Sequence, residues 1–361
     1  MSTGTSGIGQ SVSRVDARPK VTGVAQFTGD LVIPGMLQGK VLRSPLAHAR
    51  ITHLDTSAAE ALPGVVAVMT GKDIAGDGFY GHAVKDRPIV AVDRVRFAGE
   101  PVAAVAAVDE ATALEALDLI QVDYEPLPLV DTMEKALAAD APRLHEVEGL
   151  ELGLFHGLGG FRPFDNVCYY HKIRKDEERL DAVFAQADIV VEGEYTFPAI
   201  YQYSMEPHAT VARWEPDGIT VWSNCQHPYL VRAELADVFG FTPAEVRVVV
   251  SYLGGGFGSK SYTKMEPLAV ALARQAGRPV RIANRVDESM VTSRRHNMTC
   301  KMRTAATADG ELLARDVQMW LDTGAYADNG PRVVATAADA APGPYRWGPV
   351  RVDAWGVYTN R

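Results

Sequence analysis

The sequence predicts an α+β protein with two domains, and three observations support this prediction. The chain has 361 residues, more than one domain usually contains. Short strand patterns alternate with helix patterns along it. Prolines at 126 and 128 precede a weakly patterned stretch, residues 148–166, that is rich in Gly and Phe. We place the boundary between about Pro128 and Lys172 and predict domains at residues 1–140 and 141–361.

Short apolar segments, punctuated by Gly and Pro, predict a small module of strands with a helix in the first region. Asp109 and Glu110 precede the helical pattern and are good helix-start residues. That helix follows one strand pattern and precedes another, which is the order of a β-α-β unit. The predicted strands lie at residues 21–31, 39–44, 64–69, 102–108 and 120–124, and the predicted helix lies at 111–119.

The second region opens with a polar segment that ends at Glu178. Its elements then alternate in type, as they do in an α+β layer arrangement. The predicted strands lie at residues 189–197, 210–214, 219–223, 246–251 and 280–283, and the predicted helices at 180–187, 230–239 and 267–275.

Composition limits the function classes that the chain can serve. Hydrophobic residues make up 47% and charged residues 22%, as in an ordinary globular protein. The net charge of -9 argues against a nucleic-acid partner or an anionic membrane surface, because both require a basic patch. The first ten residues are small and polar, and nowhere do about 18 apolar residues run together. We therefore expect a cytoplasmic protein without a membrane span.

The three cysteines, Cys168, Cys225 and Cys300, are widely separated and have no CxxC spacing. This spacing indicates neither a disulfide framework nor an iron–sulfur or zinc site. Any iron–sulfur cluster that works with this chain must therefore lie on another chain.

A β-branched run at residues 248–250 leads to Gly-Gly-Gly-Phe-Gly-Ser-Lys at residues 254–260, which we call the glycine loop. Without side chains, four of its first five positions allow backbone N–H groups to approach a ligand closely. The remaining side chain, Phe257, is able to stack on a ring. The simplest alternative is a flexible turn between a strand and a helix.

The glycine loop does not fit the common nucleotide fingerprints. It lacks GxGxxG spacing, and Lys260 does not close a GxxxxGK[ST] phosphate loop. A nucleotide-binding dehydrogenase is therefore a weaker alternative, since no acidic ribose-binding residue follows a second strand as that motif requires.

Seven short segments, taken in order, resemble the molybdopterin-binding large subunit of the xanthine dehydrogenase and aldehyde oxidase family. The resemblance covers essentially the whole chain, and it is to the N-terminal part of that subunit. The segments are FAGEPVA at 97–103, MEPH at 205–208, SNCQ at 223–226, the glycine loop, GRPVR at 277–281, DE at 287–288 and RH at 295–296.

The resemblance implies an α/β hammerhead domain followed by the first molybdenum-cofactor-binding α+β domain. The metal in this family is held by the dithiolene of molybdopterin, so no direct protein ligand is expected. A glutamine at Gln226 is placed where the family's glutamine hydrogen-bonds an oxo ligand of molybdenum. Cofactor contacts are implied for Gly255, Gly256, Phe257 and Gly258. These residue types suit the task, because amide and backbone N–H groups donate without coordinating the metal.

One departure from the family concerns the substrate pocket, which the resemblance places at Ser261 and Phe257. Purine-oxidising members carry a glutamate at the position of Ser261. A neutral hydroxyl cannot provide the charge-assisted hydrogen bonds with which a carboxylate holds a purine. Xanthine and hypoxanthine are therefore disfavoured as substrates.

A second departure is that the sequence ends at Arg361, before the AFRG segment and the later glutamate that acts as general base in the family. We expect a partner chain to carry both of these, together with the second molybdopterin-binding domain. The two explanations are a truncated chain and a subunit that is naturally split, as in some bacterial N-heterocycle dehydrogenases. The end falls between strands, which favours the split.

The implied activity is hydroxylation of an electron-poor carbon with water as the oxygen source. An N-heteroaromatic of the pyridine, nicotine or quinoline type is the first choice of substrate; an aldehyde, a purine and carbon monoxide are alternatives. The implied cofactors are molybdenum-molybdopterin, with its cytosine dinucleotide form as one option, and [2Fe-2S] clusters and FAD on partner subunits. A hypothesis of a different class is a non-catalytic scaffold chain that only holds the cofactor.

Overall fold

The structure is a computed structural model that describes residues 7–74, 78–154 and 163–361. Part of the predicted interdomain link, residues 155–162, lies outside the described residues. The described residues form sheets of seven, five, three and two strands with helices packed against them. This mixed arrangement confirms the predicted α+β class.

The helices and strands have the following bounds. The helices are α1 Ala17–Val21, α2 Ser57–Glu60, α3 Glu110–Leu119, α4 Met133–Ala136, α5 Leu180–Gln186, α6 Pro228–Phe239, α7 Glu266–Ala276, α8 Val286–Thr292 and α9 Gly330–Ala340. The strands are β1 Leu37–Arg43, β2 Ala49–Asp55, β3 Val65–Thr70, β4 Phe79–Tyr80, β5 Arg87–Pro88, β6 Arg94–Val95, β7 Pro101–Ala107, β8 Gln121–Pro126, β9 Val167–Lys175, β10 Ile189–Phe197, β11 Ala209–Glu215, β12 Gly218–Ser223, β13 Val246–Val249, β14 Val280–Ala283, β15 Met298–Ala306, β16 Leu312–Gly324 and β17 Val350–Tyr358.

The seven-stranded sheet joins the N-terminal region to the second region. Its strand order is β13-β12-β11-β14-β1-β7-β3. At the junction, β1 pairs in parallel with β14, with Leu37 opposite Val280. A single apolar core includes Leu37 and Met69 from the first region and Leu235 and Leu272 from the second. The division at residue 140 stays a prediction, since this sheet and this core have members on both sides of it.

The five-stranded sheet, in the order β10-β15-β16-β17-β9, lies wholly in the second region. Helix α9 packs against it, with Val334 and Ala338 in the same core as Cys168 and Val357. Strand β10 forms one edge, and nearly all of its residues are exposed. This packing fixes the position of α9, whose outer residues line the cleft described below.

Several predicted elements are confirmed within one or two residues. The predicted strands at 189–197 and 280–283 have the bounds of β10 and β14. The predicted helix at 267–275 is α7, which has Pro267 in its first turn. Gly277 ends α7 in the left-handed conformation, with φ of 61°.

Two predictions in the first region are wrong. Residues 21–31 form no strand: Val21 ends α1, and Thr28–Asp30 is a 3₁₀ helix in which the Asp30 carboxylate accepts from the Phe27 N–H at 3.0 Å. The β-α-β unit also fails, because β8 pairs antiparallel with β2 and so leaves the sheet that contains β7. In the second region, the polar segment that ends at Glu178 contains β9. This strand lies at the edge of its sheet, where polar and charged side chains are common.

Candidate cofactor and substrate site

The predicted site residues follow two neighbouring parallel strands. Strands β12 and β13 pair in parallel, with Trp222 opposite Val249. Gln226 comes three residues after β12, and the glycine loop follows β13. Because the carboxyl ends of parallel strands meet at one edge of a sheet, Gln226 and the glycine loop lie next to each other there. The Gln226 N–H donates to the Lys260 carbonyl at 2.7 Å.

The glycine loop has a backbone that only glycine adopts easily at several positions. Gly255 and Gly258 have φ of 97° and 92°, and Phe257 has φ of 49°. A Cβ atom on Gly256 would lie 2.4 Å from Oε1 of Gln226, and one on Gly255 would lie 3.0 Å from the Phe257 ring. Side chains at 255 and 256 would therefore fill the space that the loop leaves beside Gln226.

This bare backbone leaves hydrogen-bond donors without partners. Within the described parts of the chain, nothing accepts from the N–H groups of Gly255, Gly256 and Phe257. Backbone donors near a protein surface are normally satisfied by protein, water or a ligand. Three consecutive N–H groups suit the oxygen atoms of an anionic or carbonyl-rich ligand.

The amide of Gln226 has a defined orientation. Its Oε1 accepts from the Gly258 N–H at 3.0 Å and lies 3.5 Å from Oγ of Ser261. A backbone N–H is only a donor, so the atom that it contacts must be the amide oxygen. The NH₂ group of Gln226 has no acceptor among the described residues and is left to donate to a ligand.

A buried ion pair supports the glycine loop from beneath. Nζ of Lys260 lies 3.0 Å from Oε2 of Glu206 and donates to its carbonyl at 2.7 Å. The same carboxylate oxygen accepts from the Gly254 N–H at 2.8 Å. Burial lowers the pKa of Lys260, although the charge of Glu206 opposes this effect. Lys260 is thus an anchor of the loop whose ammonium group is already paired.

His208 adds a second support beneath the loop. Its Nε2 lies 3.3 Å from the Ser259 carbonyl, which requires the proton on Nε2. Ser259 in turn donates from Oγ to the Gly256 carbonyl at 2.8 Å. Burial lowers the pKa of His208 to about 4, so the ring is neutral at pH 7. Glu206 and His208 therefore both support the backbone of the glycine loop.

A cleft of about 1100 Å³ opens beside the loop. Among the predicted residues, Phe257, Gly258 and Ser261 line it. Phe257 is 73% exposed, whereas Ser261 is 9% exposed. The other three predicted residues, Gln226, Gly255 and Gly256, are not part of the cleft lining but lie at the same sheet edge, next to Phe257 and Gly258.

A second part of the cleft lining was not predicted from the sequence. It includes Tyr262, which follows Ser261 directly, and one face of α9 with Arg332, Thr336, Ala337 and Ala340. These α9 positions recur at helical spacing and share a face. The available signal in the sequence was the spacing of small residues along the α9 segment. The same spacing is equally typical of a helix that packs against a core.

An ion pair forms part of the lining of this cleft. Lys264 and Asp328 pair there, and both line the cleft. Burial raises the pKa of Asp328, but the charge and hydrogen bond of Lys264 outweigh burial and leave it below its ordinary value. Asp328 has φ of 42°, a conformation that is uncommon for residues other than glycine.

Comparison with known proteins matches both regions of the chain. Residues 22–128 match the a/b hammerhead domain of aldehyde oxidase and xanthine dehydrogenase. Residues 162–361 match the molybdopterin cofactor-binding domain, which covers more than half of the chain. The chain belongs to the xanthine dehydrogenase and aldehyde oxidase family. The predicted order, a hammerhead domain followed by a molybdenum-cofactor-binding domain, is thereby confirmed.

Two curated relatives illustrate the range of this family. The chain is 39% identical over 349 residues to a probable xanthine dehydrogenase subunit of Bacillus subtilis, covering 96% of this chain and 44% of the relative. It is 37% identical over 361 residues to the nicotinate dehydrogenase large molybdopterin subunit of Eubacterium barkeri, covering 98% of this chain and 79% of that subunit.

Solved structures show the same fold. The reconstituted CO dehydrogenase from Oligotropha carboxidovorans matches with a TM-score of 0.88 and 31% identity, over 98% of this chain and 44% of that chain. Quinoline 2-oxidoreductase from Pseudomonas putida 86 matches with a TM-score of 0.85 and 31% identity, over 99% of this chain and 45% of that chain. The chain spans less than half the length of these proteins.

Two further structural facts bear on cofactors and membranes. Cys168, Cys225 and Cys300 are buried and free. The part of the chain that the structure describes has no helix long and apolar enough to cross a bilayer.

Proposed function

We propose that this chain holds a molybdenum–molybdopterin group at the glycine loop, in an enzyme that hydroxylates an N-heteroaromatic compound. The observation that carries the proposal is the convergence of unused donors at one sheet edge: three loop N–H groups and the Gln226 amide. The glycines of the loop leave space where a ligand must approach. A cleft large enough for an aromatic substrate opens beside the loop.

The residues present suit the proposed group. The N–H groups of Gly255, Gly256 and Phe257 would bind its oxygen atoms, and the NH₂ of Gln226 would donate to an oxygen of the metal centre. When bound, the group supplies two-electron oxidation of the substrate with oxygen from water. Gly258 and Ser261 hold the Gln226 amide oxygen. The NH₂ group of Gln226 can therefore donate to a ligand without a change of side-chain rotamer.

Ser261 and the relatives support the proposed substrate class. Ser261 places a neutral hydroxyl in the cleft lining, where purine-oxidising members of the family carry a carboxylate. A relative with 37% identity is a nicotinate dehydrogenase subunit, and a matched structure is a quinoline oxidoreductase. Both names support a nitrogen heteroaromatic. The 39% identity to a probable xanthine dehydrogenase subunit keeps a purine as the second candidate.

Other polypeptide regions complete the proposed enzyme. A partner chain would carry the general-base glutamate, the AFRG segment and the second molybdopterin-binding domain. [2Fe-2S] clusters and FAD on partner subunits carry the electrons away. We place the complex in the cytoplasm and include the cytosine dinucleotide form of the cofactor in the proposal.

The test is an assay of the purified complex that contains this chain. We expect about one molybdenum and one pterin per copy of the chain. We also expect kcat/KM to be higher for pyridine- or quinoline-type compounds than for xanthine, hypoxanthine or an aliphatic aldehyde. A higher kcat/KM for a purine selects the second candidate. Molybdenum without turnover of any of these compounds supports the scaffold hypothesis instead.

A further inference from the structure

The cleft beside the glycine loop carries an excess of positive charge. Six Arg and Lys side chains line it, against two Asp side chains, although the chain as a whole has a net charge of -9. Lys264 and Asp328 neutralise each other. Asp322 accepts through Oδ1 from the Gly324 N–H and the Thr359 hydroxyl, and its single negative charge stands against five arginines. The excess charge therefore lies on arginines.

Arg332 on α9 combines a hydroxyl neighbour with a guanidinium group that forms no ion pair among the described residues. Its Nη1 donates to the Tyr262 hydroxyl at 2.6 Å. No carboxylate of the described residues lies within ion-pair distance of its guanidinium group. Four of its five N–H bonds are therefore left for a ligand or water.

Tyr262 contributes a further donor. Its hydroxyl oxygen accepts from Arg332, and no described residue accepts its hydroxyl hydrogen. The Tyr262 ring is buried and packs against His82, with ring centroids 4.3 Å apart. Packing therefore fixes the position of the hydroxyl. The two residues together present several hydrogen-bond donors, and their one acceptor, the Tyr262 hydroxyl oxygen, is already bonded to Arg332.

Such a pair matches the chemistry of a carboxylate. A guanidinium group binds two carboxylate oxygens through parallel N–H bonds, and a phenol adds a third bond. The pair lines the same cleft as Ser261. The same α9 face carries Thr336, Ala337 and Ala340, whose small side chains leave room in the cleft for a ring.

We propose that Arg332 and Tyr262 bind an anionic substituent of the substrate, so that the enzyme takes an aromatic carboxylate in preference to a neutral ring. This inference rests on the proposed function for the location of the substrate. A phosphate of the cofactor has the same anionic chemistry and is the other source that the experiment must distinguish.

The experiment measures binding of two probes of matched shape, benzoate and benzamide, to the purified complex by calorimetry. Wild type is expected to bind benzoate more tightly than benzamide. Arg332→Gln should weaken benzoate binding by roughly 10- to 100-fold, the range for a hydrogen bond to a charged group. Benzamide binding should weaken less than benzoate binding, by roughly 2- to 10-fold, because a neutral carbonyl accepts an N–H without the attraction between two opposite charges.

Two more variants sharpen the result. Tyr262→Phe keeps the ring and removes the hydroxyl, so benzoate binding should weaken by roughly 2- to 10-fold. Arg346→Gln is the charge-matched control, because Arg346 is exposed and is absent from the cleft lining. It should leave both probes unaffected.

Three outcomes would overturn the proposal. Equal weakening of benzoate and benzamide by Arg332→Gln would mean that the residue only maintains the shape of the cleft. Equal affinities of wild type for the two probes would mean that charge is not recognised. Loss of molybdenum and pterin from the Arg332→Gln complex would assign Arg332 to the cofactor. Arg332-dependent benzoate binding in a complex that oxidises no heterocycle would leave this site standing and reject the proposed reaction.

Discussion

The two walls of the cleft differ in the part of the chain that they offer to a ligand. The glycine-loop wall presents backbone N–H groups and one oriented amide, while its own charged residues, Lys260 and Glu206, are paired beneath it. The α9 wall presents side chains, and its Arg332 has no acidic partner in the described structure.

This difference indicates which part of the site is general and which is specific. Backbone donors bind oxygen atoms of any cofactor that fits, and they tolerate no change of side chain at Gly256. Exposed side chains on a helix usually change with little effect on stability. We therefore expect cofactor binding to depend on the loop wall and substrate choice to depend on the α9 wall and on Ser261.

The largest expected effect tests whether the loop wall depends on its buried ion pair. Lys260→Met would leave the Glu206 carboxylate, 12% exposed, without its cation. Removing one partner of a buried pair costs about 3–5 kcal/mol. We expect the free energy of unfolding, measured in urea on the purified protein, to fall by that amount.

A matched control is Lys135→Met, because Lys135 pairs with Asp131 on the surface with side chains 60% and 37% exposed. An exposed pair contributes about 0–1 kcal/mol. The double variant Lys260→Met with Glu206→Gln should recover much of the loss. An equal loss for Lys260→Met and Lys135→Met would contradict the role of the ion pair.

The next effect concerns the oriented amide. Gln226→Ala removes the donor proposed to face the metal centre but little core volume, since Gln226 is only partly buried. We expect kcat to fall by about 10- to 100-fold, the usual cost of losing a group that orients a metal site. Molybdenum content and the urea midpoint should stay near the wild-type values. Unchanged turnover would remove Gln226 from the site.

A smaller effect tests whether Ser261 sets substrate choice. Ser261→Glu places a carboxylate at a position that is 9% exposed, where an unpaired charge is costly and favours protonation. A purine offers N–H donors to that carboxylate and a neutral pyridine does not. We expect the kcat/KM ratio of purine to pyridine to rise by about 10-fold. A uniform loss for both substrates would show that Ser261 lies outside the pocket.

The smallest effect is a pH dependence of stability from beneath the loop. Burial lowers the pKa of His208 to about 4 from an ordinary value of 6.5. The unfolded chain therefore binds the proton first, so stability is full above pH 6.5 and falls as pH decreases toward 4. Between pH 7 and 6 the His208 contribution should fall by roughly 0.7 kcal/mol.

The variant His208→Gln isolates this contribution, because glutamine keeps a donor for the Ser259 carbonyl and does not titrate. Its free energy of unfolding should depend less steeply on pH than that of wild type in this window. Parallel pH curves for the two proteins would contradict a neutral, buried His208.

The glycine-loop wall could be predicted from the sequence, because a loop with this geometry accepts only certain residue types. Close backbone approach requires glycine at 255 and 256, and this requirement leaves a visible pattern. The helices α6 and α7 were also predictable, since Pro near the first turn and a glycine in the left-handed conformation mark their ends.

The α9 wall was not predictable, because nothing local marks it. Arg332 resembles any exposed helix residue until the fold brings it to Tyr262, 70 residues away in the chain. The failed strand at 21–31 has a different cause: its β-branched residues predict a partner strand, yet Val21 and Val24 are 84% and 71% exposed. The β-propensity of a residue indicates the backbone conformation that it favours, and it does not reveal whether a partner strand is present.

The pairing of β1 with β14 has a consequence for biosynthesis. Gln38 pairs in register with Arg281, 243 residues later in the chain. At about 5–20 residues per second, a ribosome takes roughly 12–50 s to make the intervening segment. During that time β1 has no partner on one side, and an unpaired strand edge invites association with other nascent chains. We expect slower synthesis to lengthen this exposure and to make chaperones that cover strand edges important for the yield of soluble chain.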